Sequence, residues 1–363
     1  MSKADGMNYA PKGKSRPVVA PGEFVFAATG LDHGHINGQC NGLVEAGAEL
    51  RWVYDPDAEK VRKFQENYPG VRAAPSLETI LDDPDVRLVA AAAIPSERGP
   101  LGVRVMQAGK DYFTDKTPFT SLAQLEKARQ TVTETGRKYM VYFSERLHVE
   151  CAVAAGDLIA QGAIGKVMHV TGFGPHRLGK PENRPEWFYH KNRYGGILTD
   201  IGSHQCEQFL HYAGCRDATV RYARVANYNH PAYPELEDFG EAAVVGDNGA
   251  SFYFRVDWFT PDGLRNWGDG RTFIVGTDGY IELRKYVDAG AEGKGEHLIL
   301  VDGKGEHRMD LRGKVGFPFF GQLIRDCLDR TETAMTQQHA FKAAELCLQA
   351  QTMAENPNSD AGT

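Results

Sequence analysis

AATGLDHGHING, residues 27–38, follows the apolar run Phe24-Val25-Phe26, and its reading decides the fold. A buried strand stops at a Thr-Gly turn. Ile36, Cys40, Leu43 and Val44 then recur at helical spacing until Gly47 closes the helix. That is the opening strand, turn and helix of a doubly wound domain, whose ligands sit at the carboxyl ends of the strands. Its first turn offers backbone amides and the positive end of a helix to a phosphate. The usual G-x-G-x-x-G is thinned here to Ala28-x-Gly30-x-x-His33, keeping the middle glycine, the one that lets backbone approach a pyrophosphate. Asp55 ends the second strand, 21 residues beyond Gly34, where a carboxylate accepts from ribose hydroxyls and repels a 2′-phosphate. NAD is therefore expected, rather than NADP.

The same stretch carries Asp32, His33 and His35, which raises a metal site. Neighbouring side chains diverge, groups two apart straddle the helix start, and no third imidazole or Cys pair stands nearby in sequence. No metal is expected. Gly30, Asp32, His33 and Asp55 are expected to touch the cofactor, and His35 reads as a polar residue of the loop.

Outward from this turn, short apolar runs alternate with amphipathic segments from residue 24 to about 144, the pattern of a parallel sheet with crossover helices. The uninterrupted strand RLVAAAAI ends at Pro95, which puts Ile94, Pro95 and Ser96 at the cofactor edge. Ser76 caps a short helix, and Ser121 with Gln124 makes a capping box for a helix that closes at Gly136. Beyond Ser144 helices at 151–161 and 199–212 flank a strand at 166–173. Three hairpins then turn across Asp247-Asn248-Gly249, Thr277-Asp278-Gly279 and Asp302-Gly303-Lys304-Gly305. The expected class is α/β: an N-terminal Rossmann doubly wound parallel sheet plus a C-terminal α+β domain with a mostly antiparallel open sheet. The expected division is a polar tail at 1–22, an NAD-binding domain at 23–145, a substrate and oligomerisation domain at 146–335, and a C-terminal helix and tail at 336–363.

Composition bounds the function. With 42% hydrophobic and 25% charged residues, 363 residues suffice for two packed cores. A net charge of −7 with scattered Lys and Arg gives no footprint for nucleic acid. Six separated cysteines without a CxxC pair read as reduced thiols of a cytoplasmic protein. The first twenty residues hold no apolar run of signal-peptide length and no stretch of about 18 apolar residues occurs, so neither export nor a membrane span is expected. The start reads as a tail available to wrap a neighbouring subunit.

Two stretches carry chemistry. In YFTDKTP, Asp115, Lys116, Thr117 and Pro118 close a strand, so Lys116 faces the cofactor cleft, although alone it would pass for a solvated strand end. In GGILTDIGSHQCEQFLHY, Gly195-Gly196 gives a tight turn, and Asp200 and His204 stand four apart on one helix face, with Glu207 and His211 continuing a polar stripe. A lone His204 could be a satisfied helix histidine, and a zinc set of Asp200, His204, Glu207 and His211 would spread over three turns. The combination is more specific. A nucleotide domain ending in a late lysine, followed by G-G-x-x-x-D-x-G-x-H, with Asp55-Pro56 and Ile94-Pro95, resembles the Gfo/Idh/MocA family of NAD(P)-dependent sugar and inositol dehydrogenases.

The resemblance runs from about Phe24 to Met353. The family's Glu-Lys-Pro appears as Asp115-Lys116 with its proline displaced to Pro118, the helix pair falls on Asp200 and His204 without departure, and the glycine loop departs most. It implies that His204 is the base, Asp200 orients substrate hydroxyls and supports the imidazolium, and Lys116 binds the reacting oxygen and the nicotinamide ribose. Arg146, His176, Trp187 and Trp267 would line the substrate, with Arg177 beside His176 as a further donor. No basic cluster holds a phosphate, which favours a free sugar or glycoside, and C3 of a glucose-type ring is the expected carbon. The alternatives are an NAD-dependent glycosidase of the same family, an inositol dehydrogenase, and a non-catalytic NAD and sugar-binding regulator. The small-molecule substrate is joined by one partner class, further copies of the chain in a dimer or larger homo-oligomer packed on the open sheet.

Overall fold

The computed structural model describes residues 5–13, 16–293 and 295–356, and these divide into two compact units. The nucleotide unit comprises residues 7–142 with 316–340, and the second comprises 143–315 with residues 5–6 and 341–356.

In the nucleotide unit the strands are β1 (Val25–Thr29), β2 (Glu49–Tyr54), β3 (Arg72–Ala73), β4 (Val86–Ala91), β5 (Asp111–Asp115) and β6 (Tyr139–Tyr142). The connecting helices are α1 (His35–Glu45), α2 (Ala58–Asn67), α3 (Leu77–Asp82), α4 (Pro95–Gln107) and α5 (Leu122–Thr135). All pairings are parallel, in the order β3-β2-β1-β4-β5-β6. Strands β1 and β6 are buried at every position and read as nearly unbroken apolar runs rather than alternating ones, while β5 is buried as fully although it carries Asp111, Thr114 and Asp115. The order reverses between β1 and β4, so the crevice that takes a ligand lies beyond the carboxyl ends of those two strands.

The caps follow the sequence. Ser76 accepts from the Thr79 amide at 3.3 Å and Ser121 from the Gln124 amide at 3.3 Å. Gln124 Oε1 reaches back to the amide of Thr120, one residue before the position a capping box uses. Gly136 closes α5 in the left-handed conformation at φ 64°.

The second unit carries α6 (Ser144–Leu147), α7 (Glu150–Ala160), β7 (Val167–Pro175), α8 (Lys191–Tyr194), α9 (Ile197–Asp200) and α10 (Gly202–Ala213). Then come β8 (Ala218–Ala226), β9 (Phe239–Gly246), β10 (Ser251–Asp257), β11 (Arg271–Gly276), β12 (Gly279–Arg284), β13 (His297–Asp302) and β14 (Gly305–Asp310). The chain ends with α11 (Pro318–Asp329), which belongs to the nucleotide unit, and α12 (Gln337–Glu355). The eight strands run β14-β13-β12-β11-β7-β10-β9-β8, antiparallel except where β7 lies beside β10. Helix α10 presses on this sheet where Gly174 of β7 has no side chain. A Cβ there would lie 3.2 Å from Ile201. Phe209 and Phe252 stack at 4.8 Å, nearly coplanar. The other face alternates half-exposed residues with those buried under α10.

Three features differ from the sequence expectation. The polar start is not a free tail, because the Gly13 amide donates to Glu45, the Asn41 amide donates to the carbonyls of Ala10 and Pro11, and the Val18 amide bonds Ala46. Residues 316–340 pack with the nucleotide unit rather than the second. Phe319 and Phe320 of α11 lie 5.9 and 6.4 Å from Phe113, and the Gln337 side chain bonds both backbone groups of Tyr139, covering the free edge of β6. The helix expected at 199–212 is broken into α9 and α10 at Ile201, whose backbone stays right-handed helical. Among the described residues no helix is long and apolar enough to cross a membrane, and all six cysteines are free and buried.

Candidate active site

Within the nucleotide unit, Gly30 has φ +59°, and a Cβ on it would lie 2.8 Å from the Ala93 Cβ. The glycine therefore serves the approach of the loop to the end of β4, where Ala92 and Gly30, and His33 and Ala92, are joined by backbone hydrogen bonds of 3.0 Å. Asp55 accepts from the Leu31 amide at 2.7 Å through Oδ2 and from the Asp57 amide at 2.9 Å through Oδ1. Each oxygen keeps a second lone pair, the acceptor capacity a ribose diol needs. Asp32 pairs with Lys60 at 2.7 Å, and the same ammonium stands 3.9 Å from Asp55. Gly34 caps α1 with no side-chain bond, and the Asn8 amide oxygen and Met7 carbonyl sit 2.5 and 2.6 Å from where its Cβ would be. Ile94 caps α4, Pro95 fills its first turn, and the Ser96 carbonyl accepts from Gln124. A loop bound to the switch point, an uncapped helix start and a half-used carboxylate fit a dinucleotide.

Asp115 is the centre of a buried network. Its Oδ1 lies 2.9 Å from His35 Nδ1, and its Oδ2 lies 3.2 Å from both His33 Nδ1 and Arg98 Nη2. Burial alone would raise its pKa, but the charges of His35, Arg98 and His33 hold it far below the carboxylate range. Burial first, then the charge of His35, pushes the His33 imidazole well below its ordinary value. His33, His35 and Asp115 bring three metal-type ligand atoms within 4.8 Å, a grouping invisible in sequence because Asp115 is on another strand. Arg98 shares that carboxylate, and its remaining nitrogens hold backbone: Nε donates to Ala93 O at 2.6 Å, and Nη1 to the carbonyls of Lys116 and Thr117. Lys116 is itself 5% exposed, and the peptide that follows it is cis.

Within the second unit, Gly195 and Gly196 have φ of 90° and 96°, and a side chain on Gly196 would enter the Gln351 amide. This turn starts the helices that carry Asp200, half-buried, and His204, 1% exposed, one turn apart. The His204 ring meets Phe143 edge-on at 6.5 Å. Glu207 does not extend a free polar stripe, because it pairs with Arg146, a residue expected on the substrate. Arg146 Nε lies 2.7 and 3.0 Å from the two Glu207 oxygens, and its Nη2 also meets Glu207, in a buried bidentate pair. His211 is exposed.

Behind His204 in the same unit lies a network that the sequence reading missed. Glu145 accepts from Lys285 Nζ at 3.1 Å and Gln205 Nε2 at 3.0 Å, and Lys285 also donates to Gln208 at 2.6 Å. His176 Nε2 stands 3.9 Å from Glu145. Burial would raise the Glu145 pKa, but Lys285, His204 and His176 bring it down to about 2. Lys285 ends the run YIELRK, and the period of two that buries Ile281 and Leu283 carries on to it, so its burial was signalled. Arg98, inside a helix segment with no motif, offered no comparable signal.

His176 and Trp267 do meet, with ring centres 4.6 Å apart, and Trp258 lies 5.5 Å from His176. Trp187 stands one contact removed, beside Phe188. Arg177 is committed to structure, its Nη2 donating to the carbonyls of Pro261, Leu264 and Asn266.

Residues 30–143 match the oxidoreductase family with an NAD-binding Rossmann fold, and residues 153–282 match the GFO/IDH/MocA C-terminal domain. A crystal structure of an oxidoreductase from Erwinia carotovora atroseptica is 50% identical, covering 91% of this chain and 98% of that one with a TM-score of 0.88. A scyllo-inositol 2-dehydrogenase (NAD(+)) from Bacillus subtilis is 24% identical over 262 residues, 71% of each chain. A levoglucosan dehydrogenase from Pseudarthrobacter phenanthrenivorans is 27% identical over 176 residues, 47% of this chain and 42% of that one. The chain thus belongs to the Gfo/Idh/MocA oxidoreductases and is an NAD-dependent dehydrogenase acting on CH–OH groups.

Proposed function

We propose that this dehydrogenase oxidises a secondary hydroxyl of a sugar or glycoside, C3 of a glucose-type ring giving a 3-oxo sugar, with His204 as the base. The observation that carries this reading is the placement of Asp200 and buried His204 one turn apart behind the Gly195-Gly196 turn, in the unit that also holds the His176–Trp267 pair.

Bound NAD supplies the hydride acceptor. His204 takes the hydroxyl proton, a task for which imidazole needs little tuning near neutral pH. Asp200 orients hydroxyls and supports the imidazolium. Lys116 hydrogen-bonds the reacting oxygen and the nicotinamide ribose, held in place by Arg98 through its own carbonyl. Gly30, Asp32, His33, Asp55 and the 94–96 turn bind the cofactor. Trp267 and His176 offer the apolar face and hydrogen-bonding edge that a pyranose needs. Six buried free thiols support a reducing compartment such as the cytoplasm. The half-exposed face of the second unit's sheet supports a homo-oligomer built on it.

A cyclitol is the second reading, favoured by the likeness to the scyllo-inositol dehydrogenase. Incubation with NAD and a panel of free sugars, glucosides and inositols, followed by NADH absorbance and product analysis, tests both. Turnover with a glucoside to its 3-oxo product is expected, turnover with inositols alone selects the cyclitol, and net release of aglycone without NADH overturns both.

A further inference from the structure

Within the second unit, Gly6 lies on the aromatic pair that the proposed function assigns to the sugar, and Asp5 precedes it. Gly6 is buried, and a Cβ on it would stand 2.9 Å from Trp267 Cε3 and 3.2 Å from His176 Cδ2. Any larger residue would have to displace one of those rings, so the backbone itself is in contact with them. Trp267 and His176 are left 4% and 8% exposed. The segment is tied down by its neighbour, because Asp5 Oδ1 accepts from Arg184 Nη2 at 3.0 Å. Arg184 is a fixed anchor, 9% exposed, with Nε on the Leu178 carbonyl at 3.0 Å and Nη2 on the Arg177 carbonyl at 2.9 Å. Its guanidinium also lies over Phe188 and Trp258 at 5.1 and 5.3 Å. Asp5, by contrast, is partly in water, with 35% of its side chain exposed. The Asp5 carboxylate thus ties the segment to a rigid anchor.

We propose that Asp5 and Gly6 determine substrate specificity by covering the His176–Trp267 face, so that a sugar gains that face only by displacing them. The proposal rests on the reading of His176 and Trp267 as substrate residues. A ligand that needs an occupied face binds more weakly by the fraction of molecules in which the face is open. Small substrates that do not reach Trp267 pay no such penalty, and ones that stack on it do, so the segment discriminates between them.

The test compares the full chain with Asp5→Ala and with a chain lacking residues 1–6, using methyl β-glucoside and glycerol as probes. Acrylamide quenching of Trp267 emission, assigned by difference from Trp267→Phe, reports the cover without any reaction. The expected result is that both variants raise Trp267 quenching and lower KM for the glucoside about three- to tenfold at unchanged kcat, with glycerol unaffected. Unchanged quenching overturns the cover. Raised quenching with an unchanged or higher KM for the glucoside overturns its role in specificity. Trp267→Phe and His176→Ala made in the shortened chain separate the two levels: a higher KM for the glucoside there, with no gain from Asp5→Ala, overturns this proposal alone, whereas no change in KM from either ring overturns the substrate assignment beneath it.

Discussion

Arg98 places its guanidinium wholly inside the nucleotide unit and on the backbone that carries Lys116. Arg98→Lys keeps the charge but cannot hold Ala93, Asp115 and the two carbonyls at once. The expected outcome is a fall in kcat of about 100-fold from misplacement of Lys116, with the NAD dissociation constant little changed. Activity within twofold of the parent would show that Lys116 is held by other means. Glu145→Gln leaves Lys285, 0% exposed, facing a neutral partner, a loss of about 3–5 kcal/mol in chemical unfolding. The sign with pH is fixed as well. Because the folded carboxyl is lowered from 4.5 to about 2, its contribution is present above 4.5 and lost as pH falls toward 2, so the parent should lose more stability than Glu145→Gln across that window. Of these residues, Lys116, Asp200 and His204 were legible in sequence because each stands in a motif at fixed spacing. Asp115's pairing with His35 and the Arg146–Glu207 pair were not, because contacts 80 and 61 residues apart create them, and the strand period that marks Lys285 says nothing of Glu145, 140 residues away. Arg98 is nearer, 17 residues from Asp115, but nothing in its spacing marks it.

At the scale of elements, the parallel sheet was readable because most of its buried strands are short apolar runs alternating with amphipathic helices, and the hairpins because their turns need Asn-Gly or Asp-Gly. β8 was not read as a strand, since Arg221, Tyr222 and Arg224 face outward and break the alternation. The break between α9 and α10 arises where the glycine turn and Gly202 crowd the helix against Phe254, a packing effect that periodicity does not report. Gly196 is the tightest point of this arrangement. With φ at 96° and the Gln351 amide in the way, Gly196→Ala should cost about 2–4 kcal/mol and lower Tm, measured by calorimetry, and should weaken turnover because the same turn positions Asp200 and His204. A Tm within a degree of the parent would contradict the close approach.

Over the whole molecule, the division of the chain does not follow its order. Residues 316–340 return to the nucleotide unit because α11 buries Phe319 and Phe320 there and Gln337 covers the edge of β6, neither of which leaves a boundary signal in composition. On the outer face of the sheet Phe273 and Tyr280 stack at 5.0 Å, and Phe273→Glu with Tyr280→Glu should shift the mass in light scattering from an oligomer to a single chain, while an unchanged mass would place the interface elsewhere. For hydride transfer from a sugar with His204 as base, the decisive measurement is NADH formation from a glucoside by the parent, His204→Ala and Lys116→Ala, each first shown to bind NAD by calorimetry. One NADH per 3-oxo product is expected in the parent, with losses of about 100-fold or more in kcat for both variants and NAD binding retained. Near-parent turnover in His204→Ala, or NAD binding without NADH from any sugar or cyclitol offered, would contradict it.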